Sequence, residues 1–171
     1  MKQQAYSHFD ALWSSRLRIA ERPGRLRSLA ALFAHSGDSW LWISGLALVW
    51  WRGDAQWRAW ALRLLGMILA TASLIIVLKF SIRRRRPEGE WGAIYRSTDP
   101  HSFPSGHAAR AALLATLTLS WGPPWLGILL MVWAPIVSLA RVAMGLHYLS
   151  DVLVGAALGL FSGLLGQFIL G

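Results

Sequence analysis

The sequence predicts an all-α integral membrane protein, a helical bundle of about five transmembrane helices preceded by an N-terminal amphipathic, interfacial segment. Three observations carry this reading. Of 171 residues, 55% are hydrophobic and 11 are tryptophan, a composition too apolar for an ordinary soluble domain of this size. Apolar stretches of near-spanning length recur along the chain, separated by short segments rich in Gly, Pro and charge. The basic residues, 17 Lys and Arg against 8 Asp and Glu, cluster in residues 2–27 and 79–110 instead of spreading over a surface.

The elements follow in order. Residues 6–19 set Phe9, Leu12, Trp13, Leu17 and Ile19 among charged neighbours, the pattern of a helix lying in the interface, and Pro23-Gly24 ends it. Residues 1–28 are therefore read as the interfacial segment and 29–171 as the membrane-embedded domain. The first of these segments lacks the uninterrupted apolar core of a signal peptide, so insertion is expected to rely on the internal spans. Residues 29–51 form a first span whose early turns are made polar by His35-Ser36-Gly37-Asp38, and residues 52–57 form a loop. Residues 59–80 make the second span and 105–121 the third, closed by Gly122-Pro123-Pro124, which cannot continue a helix. Residues 125–140 and 148–170 complete the set. In the last span Gly155, Gly159 and Gly163 recur every fourth residue, a smooth stripe suited to close helix contact.

With no cysteine, disulfides, thiolate catalysis and Cys-ligated metal centres are excluded, and the chemistry must come from His, acids and bases. Clustered cations between apolar spans point to lipid headgroups or phosphorylated substrates as partners; no nucleic acid is expected. Because each crossing reverses the side of the membrane, three polar islands fall on one face: residues 79–87, 104–107 and 141–151.

Lys79 and Arg86 lie nearly two helical turns apart, so both can point the same way until Pro87 stops the helix. Two fixed cations suit a phosphate, and Arg83, Arg84 and Arg85 between them read as a membrane flank. Pro104-Ser105-Gly106-His107 opens a helix, whose free amides attract anions; Gly106 lets an oxyanion approach the backbone, and His107 is placed to donate a proton. His147 and Asp151 are one helical turn apart, so the carboxylate can hold one imidazole nitrogen and leave the other as nucleophile or base. Gly145 gives the chain freedom to fold Arg141 back onto them. A buried structural His–Asp pair, or a metal site from His107, His147 and Asp151, would use the same residues. Lys79, Arg86 and Arg141 would repel a metal ion, so an oxyanion pocket with no metal fits the charges better.

In order and type, Lys79-x6-Arg86-Pro87, Pro104-Ser105-Gly106-His107 and Arg141-x5-His147-x3-Asp151 resemble the three signatures of the type 2 phosphatidic acid phosphatase superfamily, which also contains vanadium haloperoxidases. The resemblance covers residues 79–151. It implies a metal-independent, cofactor-free phosphatase in which His147 attacks phosphorus, Asp151 orients it, and His107 protonates the departing alkoxide. Lys79, Arg86, Arg141 and the Ser105 and Gly106 amides would neutralise the transition state, and water would hydrolyse the phosphohistidine. Ala140 stands where the family usually has Ser, which removes one hydroxyl from the phosphate site.

The implied substrates are lipid phosphates: phosphatidate, phosphatidylglycerophosphate, polyprenyl diphosphates or phosphorylated polyprenyl-sugars. A phosphotransferase using the same intermediate, or a non-catalytic lipid-phosphate binding or transport module, are the alternatives. His35, Asp38 and His101 fall on the same face as possible headgroup contacts or as solvated loop residues. Five crossings put the N-terminus on that face, together with Lys2, Arg16, Arg18, Arg22, Arg25 and Arg27, against Arg52, Arg58 and Arg63 opposite. Since positive residues favour the cytoplasm, the expectation is a multi-pass protein of the inner membrane with a cytoplasm-facing site.

Overall fold

The computed structural model describes residues 2–96 and 98–171, with side chains placed for 9–91, 93–95 and 98–171. Among the described residues there are eight helices: α1 (Lys2–Leu17), α2 (Arg25–Ser36), α3 (Ser39–Arg52), α4 (Ala55–Ile82), α5 (Glu90–Arg96), α6 (Gly106–Trp121), α7 (Pro124–Ala143) and α8 (Leu149–Leu170). Among the described residues the β-type pairing is one isolated bridge between Arg85 and His101.

Among the described residues, three helices are long and apolar enough to cross a membrane: α4, α7 and α8. With 14 and 16 residues, α3 and α6 are shorter. At about 1.5 Å per residue they reach roughly 21 and 24 Å.

The expected first span over residues 29–51 is not one helix. It breaks between Ser36 and Ser39, and the reason lies at Gly37. A Cβ there would stand 3.0 Å from Val137 Cγ1 and 3.2 Å from the His107 ring, a tight fit that glycine relieves. The carbonyls freed at the break are taken up: Arg110 donates to Gly37 O from Nε (3.0 Å) and Nη2 (2.6 Å), and the Trp42 indole donates to Ser36 O (2.9 Å). The polar interruption seen in the sequence thus inserts backbone into the bundle instead of decorating a continuous helix.

The centre of the bundle is α6. Ten of its residues, from Ala108 to Thr118, are buried, and small side chains dominate the run. On one side α8 meets it through the predicted glycine stripe. A Cβ on Gly155 would run into the Ser105 carbonyl, one on Gly159 into the Ala109 carbonyl, and one on Gly163 would lie 2.8 Å from Thr116 Cβ. The stripe therefore brings the two backbones together, as small residues do where helices associate in lipid. The outward faces carry Val77 and Phe80 on α4, Leu129 and Val132 on α7, and Phe161 and Phe168 on α8, all exposed. Such an apolar exterior suits hydrocarbon, since a water-exposed patch of this extent would be an aggregation liability.

The two ends of the bundle differ. At one end Trp57, Trp60 and Trp121 line a small cavity with Gln56, Gly122 and Pro123, and Trp50, Trp51 and Trp125 flank the same loops. This is the aromatic belt expected at a membrane–water boundary. The other end collects α1, α2, α5 and the polar islands. There α1 caps α8: Ser14 Oγ accepts from Leu149 N (2.8 Å) and Asp10 Oδ1 from Ser150 N (3.1 Å). On α2, Ala30 and Ala34 pack against Ala140 and Met144.

Replacing Gly159 with Val should drive α8 off α6 and destabilise the protein by about 2 kcal/mol or more, as overpacking does in tight interfaces. Thermal unfolding in detergent would register it as a lowered midpoint, whereas Leu160→Ala on the exposed side of the same helix should leave the midpoint nearly unchanged. Equal midpoints for Gly159→Val and wild type would contradict the packing described.

Candidate active site

His147 sits in the turn between α7 and α8. Gly145 has φ +69°, a left-handed conformation that lets the chain reverse there, and Leu146 N then donates to Arg141 O (3.0 Å). The turn brings Arg141 and His147 to one place, as the glycine suggested. The imidazole is buried, with Nδ1 3.5 Å from Asp151 Oδ2 and Nε2 3.3 Å from Arg86 Nη1. Burial, followed by the charges of Arg141, Arg86 and Lys79, pushes its pKa well below the ordinary histidine value. The ring is neutral near pH 7, so one nitrogen keeps a lone pair for attack.

Asp151, buried at the start of α8, is held by hydrogen bonds at both oxygens. Its Oδ2 accepts from Tyr148 N (2.9 Å) and faces His147, while Oδ1 accepts from Arg84 Nη1 (2.8 Å). Arg84 was expected in the membrane flank with Arg83 and Arg85. Those two are exposed, but Arg84 turns inward: α4 ends at Ile82, Arg83 adopts φ 53°, and the following residues run extended. The guanidinium stacks 4.0 Å over the Tyr148 ring, and its Nη2 donates to Asp10 Oδ2 (2.6 Å). Neither Arg84 nor Asp10 was legible as a site residue, because a run of four arginines offers no pattern that singles one out.

The three cations of the expected phosphate site converge. Lys79, Arg86 and Arg141 are each at most 7% exposed. Lys79 pairs with Asp99 Oδ2, to which Arg86 Nη2 also donates (2.7 Å), and Arg86 Nε donates to the Asp99 carbonyl (2.6 Å). Arg141 lies 4.9 Å over the Tyr95 ring. Its Nε has no hydrogen-bond partner among the described residues. Asp99 and Tyr95 were missed by the sequence reading, since nothing about their spacing marks them. Burial raises the Asp99 pKa, but Lys79 and Arg86 outweigh it and keep the group an anion. Its carboxylate thus bridges the two cations.

At the start of α6, Ser105 caps the helix, its Oγ facing Ala108 N (3.5 Å). The expectation that both the Ser105 and Gly106 amides face the substrate needs correction. Ser105 N donates to Asp151 O (2.9 Å), because the glycine stripe seats α8 against this turn, and that amide is committed. Gly106 does line the cavity.

His107 also lines it, and its Nε2 lies 2.7 Å from Asp38 Oδ1. Asp38 Oδ2 in turn is 3.2 Å from His35 Nδ1. Asp38 and His35, read as headgroup contacts, are thus joined to His107 in one chain of contacts. Burial raises the Asp38 pKa, yet hydrogen bonding and charge from His107 and then His35 bring it to about 2. His101 packs edge-on against Phe80 at 5.3 Å and bridges to Arg85, beside the cavity and not within its lining. Ala140, where a serine was looked for, packs among Ala30, Ala34 and Met144.

The cavity at this site has a volume of about 360 Å³. One end is polar, with Lys79, Asp99, His107, Arg110 and His147; the other is walled by Ile68, Ala72, Ile75 and Ile76 of α4. A ligand filling it would carry an anionic group at one end and apolar matter along α4. The positive charge about His147 would stabilise an oxyanion at whatever atom the imidazole attacks.

Known proteins bear the same organisation. The sequence profile of the PAP2 superfamily matches residues 60–167. The decaprenylphosphoryl-5-phosphoribose phosphatase of Mycobacterium tuberculosis is 33% identical over 146 residues, covering 82% of this chain and 78% of its own. The undecaprenyl-diphosphatase of Sulfolobus acidocaldarius is 29% identical over 145 residues, 78% of this chain and 66% of its own. In three dimensions the chain is similar to a transmembrane PAP2-type phosphatidylglycerolphosphate phosphatase from Bacillus subtilis, with a TM-score of 0.77 at 26% identity over 96% of this chain and 85% of that one. This chain belongs to the PAP2 superfamily and is a membrane phosphatase.

Proposed function

We propose that the protein hydrolyses a phosphomonoester or diphosphate of a lipid through a phosphohistidine at His147, without a metal ion. The observation that carries this reading is the two-ended cavity, in which the buried His147 lies with Lys79 and Arg110 at one end of an apolar wall on α4, while Arg86 stands 3.3 Å from the His147 ring. The names of the relatives, all phosphatases of lipid-linked phosphates, support the same class of substrate.

In this mechanism His147 Nε2 attacks phosphorus while Asp151 balances the charge that develops on the ring through Nδ1. Lys79, Arg86 and Arg141 neutralise the equatorial oxygens, and the Gly106 amide at the start of α6 adds a donor. His107 gives a proton to the leaving alkoxide and later takes one from the water that cleaves the phosphohistidine. A substrate phosphate must share or displace the hold of Asp99 on Lys79 and Arg86. Three cations at the phosphate site make a divalent metal ion an unfavourable occupant, which is the physical reason for a metal-free reaction.

We further infer five crossings, by α3, α4, α6, α7 and α8, with α1, α2 and α5 on the active face. The short α3 and α6 begin at the level of the site, where Gly37 and Ser105 lie, and both lead to the tryptophan-lined end. The cations of residues 16–27 and 83–85 then lie on the active face, which supports its facing the cytoplasm of a bacterial-type inner membrane.

Three outcomes are expected. His147→Ala should lower phosphate release from lipid phosphates by at least about 10³-fold, the scale on which removal of a nucleophile acts, with a chelator leaving the wild-type rate unchanged. A requirement for added divalent metal would contradict the mechanism. Asp99→Asn should tighten inhibition by inorganic phosphate about tenfold, equivalent to about 1.4 kcal/mol, by removing the carboxylate that competes for Lys79 and Arg86; weaker inhibition would remove that competition. Since the chain lacks cysteine, Glu88→Cys and Gly171→Cys can be labelled singly with an impermeant maleimide, and position 88 should react only after the cytoplasmic side is opened.

A further inference from the structure

Two histidines of the site each meet a carboxylate, but only the His147–Asp151 pair follows from spacing along the chain. The second pair is made by the fold. Asp38 reaches His107 from 69 residues away, with Oδ1 2.7 Å from His107 Nε2, because the α2–α3 break pushes backbone between α6 and α7. The break is braced on both sides of Asp38: Arg110, one turn after His107, holds Gly37 O and donates through Nη1 to Ser39 Oγ (2.7 Å). One helix thus carries both the histidine and the arginine that fixes the histidine's partner. Beyond Asp38, His35 lies 3.2 Å from its other oxygen and is 42% exposed at its side chain, so the chain His107–Asp38–His35 leads from the cavity to the surface.

We infer that Asp38 is the positioning residue for His107, holding Nε2–H so that Nδ1 is the nitrogen that delivers a proton to the leaving group. The assignment rests on the lipid-phosphatase reading and extends it to the proton-donating half of the site. The groups balance. In the first step the His147 Nε2–P bond forms, the P–O bond to the lipid breaks, and the Nδ1 proton of the His107 imidazolium passes to the departing oxygen. In the second step Nδ1 takes a proton from water as its oxygen bonds to phosphorus and the N–P bond breaks, which restores the imidazolium. Throughout, the Asp38 carboxylate favours the doubly protonated ring by accepting from Nε2. It faces His107 opposite Arg141 and Arg110, the cations that approach the ring from α7 and α6. A headgroup contact would need Asp38 directed at the substrate, whereas both of its oxygens are occupied by histidines.

Leaving-group dependence tests this, because proton donation matters for an alkoxide and hardly at all for a nitrophenolate. The full chain in detergent micelles would be given a long-chain alkyl phosphate and a long-chain nitrophenyl phosphate, and the release of each alcohol followed. Asp38→Asn, which keeps shape and removes charge, should slow the alkyl substrate about 100-fold, the scale of general acid catalysis, and the aryl substrate less than about fivefold. The ratio of the two rates is the readout, since a smaller folded fraction lowers both equally. Asp38→Glu should restore most of the alkyl rate. Equal slowing of the two substrates by Asp38→Asn, or no slowing, overturns the assignment. His147→Ala, run alongside, separates the levels: turnover that survives it removes the phosphohistidine reading as well, while loss of both rates there with an unchanged ratio in Asp38→Asn removes the Asp38 assignment alone.

Discussion

The close seating of α8 on α6 is the contact on which the rest of the structure depends. Gly155, Gly159 and Gly163 remove the side chains that would hold the two helices apart, and the backbone of α8 comes to rest against the Ser105 and Ala109 carbonyls. At the active end this contact is completed by a hydrogen bond from Ser105 N to Asp151 O. The start of α6, with Gly106 and His107, and the start of α8, with Asp151, are thereby locked to each other. The two histidines therefore face one cavity from helices that cannot slide independently, the rigidity that a preorganised site requires.

A second constraint is the placing of positive charge inside an apolar bundle. Lys79, Arg86, Arg110 and Arg141 are all buried, and each must find an acceptor or an aromatic face to offset the loss of water. Arg110 takes the Gly37 carbonyl, and Lys79 and Arg86 take Asp99. Arg141 has the Tyr95 ring and an Nε with no partner among the described residues. The charges are thus satisfied by groups a phosphate can replace or supplement. For the proposed reaction, such an arrangement would hold positive charge in place before an anion arrives and so lower the reorganisation needed.

The N-terminal helix belongs to this electrostatic arrangement. Asp10 and Ser14 take the free amides of α8, and Arg84 bridges Asp10 to Asp151. An element that looked peripheral thereby supports the carboxylate that lies 3.5 Å from His147 Nδ1. The opposite end is lined instead by Trp57, Trp60 and Trp121.

The hydrophobic runs, the proline and glycine stops and the glycine stripe were enough to set the helices, because they depend on local period and backbone freedom. The residues of the three polar islands were legible for a related reason: Lys79 with Arg86, His107 with its helix start, and His147 with Asp151 are each linked by short spacing on one element. What no local pattern could specify were partners drawn from distant segments. Asp99 on the cations, Arg84 on Asp151, and Asp38 on His107 are pairings across 13 to 69 residues, made only when the helices pack. The break at Gly37 has the same origin, for it exists to fit backbone between Val137 and His107. Local period and spacing were enough to bring the candidate groups of the three islands to one end of the bundle; packing settled which charge answers which, because buried charges choose their partners by proximity in space.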